Sequence, residues 1–151
     1  MGRWGIGFRT TKSTNVSEGG GDLVGVGLSG KVIHAELSHS IVAAALKVLN
    51  TLKPGLNKKA YENALVIELT KRGHAVDQQR RFDVYYEDVR VDTLVPDLLV
   101  DGSVIVDPKV VSEFNDTHLT EMMGYLAITG FKLASLINFK HADLRFKRVV
   151  R

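Results

Sequence analysis

From residue 37 onward, apolar positions recur at helical spacing: Leu37, Ile41, Ala44, Ala45, Val48, Leu49 and Leu52 form one stripe. Ser38 or Ser40 is available as the N-cap of this helix, and Pro54-Gly55 ends it. A second helix is predicted over 57–72, with Tyr61, Leu65 and Leu69 on one face and Gly73 just past its end. After Gly73 the period changes to two. Residues 75–86, 89–100 and 103–111 read as three antiparallel strands, with turns at Glu87-Asp88 and Asp101-Gly102. A third helix fits 116–129, where Leu119, Met122, Met123, Leu126 and Ala127 share a face and Gly130 closes it. Residues 131–138 suit a buried strand, and 144–150 supply a last, basic one. This order predicts an α+β fold built around one sheet.

Residues 1–33 break the pattern. Glycine, serine and threonine dominate there without a sustained period, which predicts a flexible segment or a short irregular strand ahead of one domain at 34–151. The glycines at 19–21 are not followed by the GxxxxGK[ST] that a phosphate loop requires. A chain of 151 residues suits a single domain. Such a domain buries roughly 70% of its unfolded surface, enough for a core without staples. The absence of cysteine excludes disulfides, a thiolate nucleophile and cysteine-bearing zinc sites. A net charge of +3 is compatible with a nucleic-acid partner without requiring one. No apolar run approaches the ~20 residues of a membrane span, and the N-terminus lacks a secretory signal. The expectation is a cytoplasmic protein with no membrane partner.

The residues richest in chemistry are Pro96-Asp97 and, further on, Asp107-Pro108-Lys109. Period two puts Asp107 and Lys109 on one face of a strand. A two-residue loop at Asp101-Gly102 sends the two aspartates to opposite faces. A three-residue loop, Asp101-Gly102-Ser103, pairs Val100 with Val104 and sets Asp97 across from Asp107. The three-residue register is preferred, because Gly102 can take the left-handed conformation such loops carry and the apolar neighbours then face together. Two carboxylates and a lysine so arranged suit Mg²⁺ or Mn²⁺, which take hard oxygen ligands. The metal can activate water against a phosphodiester, and the lysine can orient that water or neutralise developing charge. The same cluster can also serve as a structural ion-pair group.

These residues carry a resemblance to the PD-(D/E)XK nuclease superfamily, and more closely to its small GxxExxY proteins. The matching positions are Pro54-Gly55-Leu56, Tyr61-Glu62 with Ala64-Leu65, Glu68-Leu69, Arg72-Gly73 and Gln79. They continue through 97–102, Lys109, His118, Tyr125-Leu126, Thr129-Gly130, 136–139 and Lys147-Arg148. The resemblance implies a restriction-endonuclease-like αβββαβ core. Its central mixed sheet is flanked by helices, with an extra N-terminal helix and C-terminal strand. It implies a metal-dependent nuclease of DNA or RNA in which Asp97 and Asp107 bind the metal and Lys109 assists the attacking water. Glu62 completes the acidic set in this reading, ahead of Glu68 and Glu36; a solvated surface role for Glu62 is the alternative.

Three positions depart from the family pattern. Lys58 stands where GxxExxY has its glutamate, Glu121 where a glutamine precedes the helix tyrosine Tyr125, and Pro108 at the centre of the acid-x-lysine motif. Lys58 reverses a charge beside the site, and Glu121 adds one. Pro108 removes a ladder donor, which predicts a bulge or a missing neighbour. Two alternative functions follow: a catalytically impaired member that binds nucleic acid, and a dimeric interaction module in which the 41–52 stripe is a homodimer seam instead of core. Nucleic-acid contacts are expected from Lys58, Glu121, Tyr125 and Arg80. The basic residues Lys140, Arg145, Lys147, Arg148 and Arg151 mark either a solvated face or a phosphate track. Tyr85-Tyr86 reads as cross-strand packing.

Overall fold

In the computed structural model of this chain, the described residues are 9–13, as backbone, and 33–151. In chain order they form β1 (Arg9–Ser13), α1 (Ala35–Leu52), α2 (Lys58–Lys71), β2 (Val76–Gln78), β3 (Phe82–Tyr86), β4 (Val89–Leu94), β5 (Leu98–Val100), β6 (Val104–Lys109), α3 (Asp116–Thr129), β7 (Leu133–Asn138) and β8 (Arg145–Val150). The predicted flexible segment lies mostly outside the described residues; within it, β1 pairs along β8.

Helix α1 starts at least a turn earlier than either serine predicts. Its N-cap is His34, in the left-handed region (φ 50°) and without a side-chain cap. Burial of the Ile41, Ala44, Ala45, Val48 and Leu49 stripe holds this helix, as packing does for most helices in proteins. That stripe is consumed within one chain, in the main core cluster. Leu52, at the end of the helix, is exposed.

Helix α2 begins where the Asn57 side chain accepts the Ala60 N–H. It ends in a Schellman arrangement: His74 N–H donates to Leu69 O and Gly73 N–H to Thr70 O. Gly73 takes φ 92°, which an L side chain adopts only with strain. Tyr61 ties this helix to the loop before it. Its ring stacks on Phe139 at 4.8 Å, while its hydroxyl donates to Lys53 O (2.6 Å) and accepts from Leu56 N–H (3.1 Å).

The main sheet has the order β1-β8-β7-β6-β5-β2, and all its pairs are antiparallel except β6–β7. The parallel pair needs a crossover, which α3 supplies. Alternate side chains serve opposite layers. Val104, Val106, Leu98, Val100 and Ile137 pack with α1 and α2. Ile105, Leu99, Ala134, Leu136 and Val149 pack with Met122 and Leu126 of α3. Ala127, predicted on that face, is exposed. The result is the αβββαβ core with a mixed sheet between helices.

Two of the three predicted strands are each divided. Residues 75–86 split into β2 and β3, and 89–100 into β4 and β5; β3 and β4 form a separate two-stranded ribbon. The breaks have local causes. Gln79 sits in the left-handed region (φ 62°), and Pro96 lacks the N–H a continuing ladder needs. Glu87 and Asp88 both take positive φ, as a two-residue hairpin turn between twisted strands requires. The ribbon sets Tyr85 opposite Arg90 and Tyr86 opposite Val89, with the two tyrosines 61% and 68% exposed.

The β5–β6 hairpin adopts the three-residue register, with Val100 opposite Val104 and Leu98 opposite Val106. Ser103 N–H donates to Val100 O, and Asp101 and Gly102 are both left-handed. Side chains hold this turn. Asp101 Oδ1 accepts the Ala75 N–H (2.8 Å) and Oδ2 meets His74 Nδ1 (2.7 Å). The other His74 nitrogen, Nε2, lies 2.6 Å from Ser40 Oγ on α1. With Nδ1–H directed at the carboxylate, Nε2 accepts from the serine. Pro108 causes no bulge: it lies opposite Ile137 of β7, while on its other side β5 has already stopped. Of the two outcomes predicted for it, the missing neighbour is the one realised. Among the described residues, no helix is long and apolar enough to cross a membrane.

The Ser40–His74–Asp101 chain joins α1, the end of α2 and the β5–β6 turn. His74→Ala is expected to lower stability by about 1–2 kcal/mol, since it strands two polar partners that remain partly solvated. Urea denaturation measures this, and an unchanged midpoint would show that the turn holds without the histidine.

Candidate functional site

Asp107 belongs to the face of β6 that carries Ile105, and the register sets Asp97 across from it. Asp97 lies just before β5, where the ladder has ended. Here the layers meet: α2 contributes Lys58 and Glu62, one helical turn apart, and α3 contributes Glu121 and Tyr125. Lys58 Nζ is 2.7 Å from Asp97 Oδ2 and 3.8 Å from Asp107 Oδ1. Lys109 Nζ is 3.2 Å from Asp107 Oδ2 and 3.6 Å from Glu121 Oε1. The Tyr125 hydroxyl donates to Glu121 Oε2 (3.4 Å). Lys58, Asp97, Asp107, Lys109, Glu121 and Tyr125 line a cavity of about 50 Å³. Beside it, Asn57, Lys58, Lys59, Glu62, Gln79 and Asp97 line a cleft of about 360 Å³.

Glu62 is 1% exposed, so the alternative of a solvated glutamate does not hold. A buried carboxylate needs donors, and Glu62 Oε2 has three: Gln78 Nε2 (2.8 Å), Gln79 Nε2 (2.9 Å) and Lys59 Nζ (3.3 Å). Glu62 reaches the aspartates through Gln79, whose Nε2 also donates to Asp97 Oδ1 at 3.2 Å. Gln79 is held for this by its backbone N–H, which donates to Asp97 O (2.9 Å). Its left-handed conformation costs about 1–2 kcal/mol. Among the described residues, no three acidic or imidazole side chains form one metal-sized group.

Other candidates stand elsewhere. Arg80 pairs with Asp77 (3.4 Å) and lies over the Phe82 ring, lining neither cavity. Glu68 pairs with Arg72, and Glu36 sits exposed in the first turn of α1. His118 is engaged in the capping box of α3: its Nδ1 accepts Asn115 N–H, and its own N–H donates to Asn115 Oδ1. Of the basic residues near the C-terminus, Arg148 is buried and donates to Ile33 O, so it cannot follow a phosphate chain. Arg145 pairs with Asp143 (3.2 Å).

The charges are strongly coupled. Burial pushes the Asp107 carboxyl up, helped by its hydrogen bond to Asp97, and it titrates at about 7 despite Lys109 and Lys58 nearby. For Asp97 burial works upward too, but hydrogen bonds from Asp107 and Lys58 outweigh it and the carboxyl falls below its usual range. Burial opposes the Lys58 charge, yet the Asp97 hydrogen bond and the surrounding carboxylates raise its pKa. Burial and the Glu121 charge push Tyr125 up to about 12, so it remains a hydroxyl donor at neutral pH.

The family model for the PD-(D/E)XK nuclease superfamily matches residues 35–149. The chain belongs to this superfamily. No curated protein and no solved structure gives a significant match. Superfamily membership accounts for the αβββαβ core, and PD-(D/E)XK nucleases generally use divalent metals. The carboxylates of Asp97 and Asp107 are hard oxygen donors of the type a divalent cation takes, and the hairpin register sets them across from each other. The Lys58 ammonium faces one oxygen of each, on a side chain 41% exposed. Sequence reading assigned no role to Gln78, Gln79 or Lys59, which hold Glu62. The adjacent amides at 78–79, matched only at Gln79, were the available signal.

Asp107 and Asp97 should titrate as a pair that retains one proton near neutrality. The fold binds the Asp107 proton more tightly than the unfolded chain does. Its contribution therefore declines as pH rises from about 4 to about 7. Asp97, with its lowered pKa, works oppositely: its contribution is present above the ordinary carboxylate value and lost as pH falls through its folded value. In Asp107→Asn the decline between pH 5 and pH 7 should vanish, as measured by urea melts across that range. Parallel pH profiles for both proteins would refute the coupling.

Proposed function

We propose that the chain hydrolyses phosphodiester bonds of DNA or RNA with a divalent metal ion, Mg²⁺ or Mn²⁺, held by Asp97 and Asp107. The observation that carries this reading is the convergence of those carboxylates with Lys109, whose Nζ lies 3.2 Å from Asp107. A bound ion supplies Lewis-acid polarisation of the phosphate and acidifies a water. The chain's own groups do the rest. Lys109 stabilises negative charge developing on the phosphate and orients the attacking water. Glu62, through Gln79, holds Asp97 in place for the ion. Tyr125 offers a hydroxyl donor, and Lys58 a cation for the phosphate backbone at the mouth of the cleft. A closer relationship to the GxxExxY proteins is supported by Gly55, Tyr61 and Glu62, with Lys58 as the departure.

Asp107→Asn and Lys109→Ala are each expected to lower cleavage by roughly 100-fold or more, the scale of a lost acid–base or charge-stabilising group. The assay uses single-stranded, duplex and branched substrates with Mg²⁺ or Mn²⁺; full activity in both variants would refute the assignment. The contact between Lys58 and Asp97 favours a second reading, binding without cleavage. In that case affinity falls linearly in log–log form with salt, in proportion to the phosphates contacted. Binding that is indifferent to salt would remove this reading.

A further inference from the structure

Lys58 and Asp97 line both cavities of the site, so their ion pair divides the Glu62–Gln79 side from the Asp107–Lys109 side. The ammonium is 2.7 Å from one aspartate and 3.8 Å from the other. We propose that Lys58 is the resident cation of the Asp97–Asp107 site and competes with a divalent ion for it, so that the native chain binds such ions weakly. This rests on the reading of those two carboxylates as the metal-ligating pair.

The competition follows from geometry. A small divalent ion lies about 2.0–2.1 Å from its oxygen ligands, on the oxygens that Lys58 already contacts. An ammonium and a divalent cation held a few ångströms apart repel strongly where water is partly excluded. Lys109 approaches Asp107 from another direction and is shared with Glu121, so Lys58 is the ammonium that faces both aspartates. Lys59 does not share the role, because its ammonium is directed at Glu62. Lys58 is replaceable without unpacking the fold: its neighbour Tyr61 carries the core contacts of that turn, and its own side chain is half-exposed.

The test is Mn²⁺ binding, read by calorimetry and by the loss of the free-ion electron paramagnetic resonance signal, on the full chain without nucleic acid. Lys58→Met should bind at least tenfold more tightly than the native protein. Lys58→Gln, which keeps a polar stem and drops the charge, should show the same gain, while Lys58→Arg should stay weak. Adding Asp107→Asn to Lys58→Met should abolish the gain. Circular dichroism identifies a variant that has lost its fold, and Met and Gln serve as independent readouts of the same charge removal. Equal affinity in native and neutral variants, abolished by Asp107→Asn, would overturn the competition and leave the metal site standing. No Mn²⁺ binding in any folded variant would overturn both.

Discussion

The register of the β5–β6 hairpin is the constraint on which the site depends. Side-chain direction alternates along a strand, so a slip of one residue would send Asp97 and Asp107 to opposite faces. The turn at Asp101–Ser103 prevents it. Two consecutive left-handed residues set the loop length, and the Asp101 carboxylate is held from outside by Ala75 and His74. Apolar burial acts in the same direction. With Val100 opposite Val104, the valines at 100, 104 and 106 and Leu98 enter one core while Leu99 and Ile105 enter the other. A slip would expose part of each set, so the packing of two helical layers enforces the convergence of two charges.

Those charges are tolerated because each has a donor or an opposite charge within reach, from its own element or from a neighbouring one. Glu62 is buried among two amides and a lysine; Asp97 takes Lys58 and Gln79; Asp107 takes Lys109. Desolvation penalises both aspartates, and their interaction decides which carboxyl gives way: the more buried Asp107 holds its proton more tightly than Asp97 does. Lys58 enters this balance by adding positive charge beside both aspartates.

Pro108 shows how a residue that looks hostile to a strand is accommodated. The ladder it would interrupt on the β5 side does not exist, because Pro96 and Asp97 have already left the sheet. The same departure sends residues 82–94 into a ribbon of their own and opens the end of the sheet to α2. The missing neighbour and the open site are one feature of the chain path.

Much of this was legible in one dimension. Periodicity located the three helices and the alternating segments, since burial on one side of an element repeats with its geometry, and the apolar run at 131–138 marked the buried strand that forms at Leu133–Asn138. Gly102 and the apolar alternation pointed to the right hairpin register, and the acid-x-lysine spacing to Asp107 and Lys109. What only the tertiary structure decided depends on contacts between elements distant along the chain. The left-handed Gln79 breaks a strand that its composition favours. Glu62 is drawn into burial by amides 16 and 17 residues away. His34 takes the cap that a serine suggests, because the helix is anchored by its stripe. Above all, the contact of Lys58 with both aspartates arises where two layers meet at the end of a ladder. Local pattern encodes which face a residue takes; it does not encode which charge waits there.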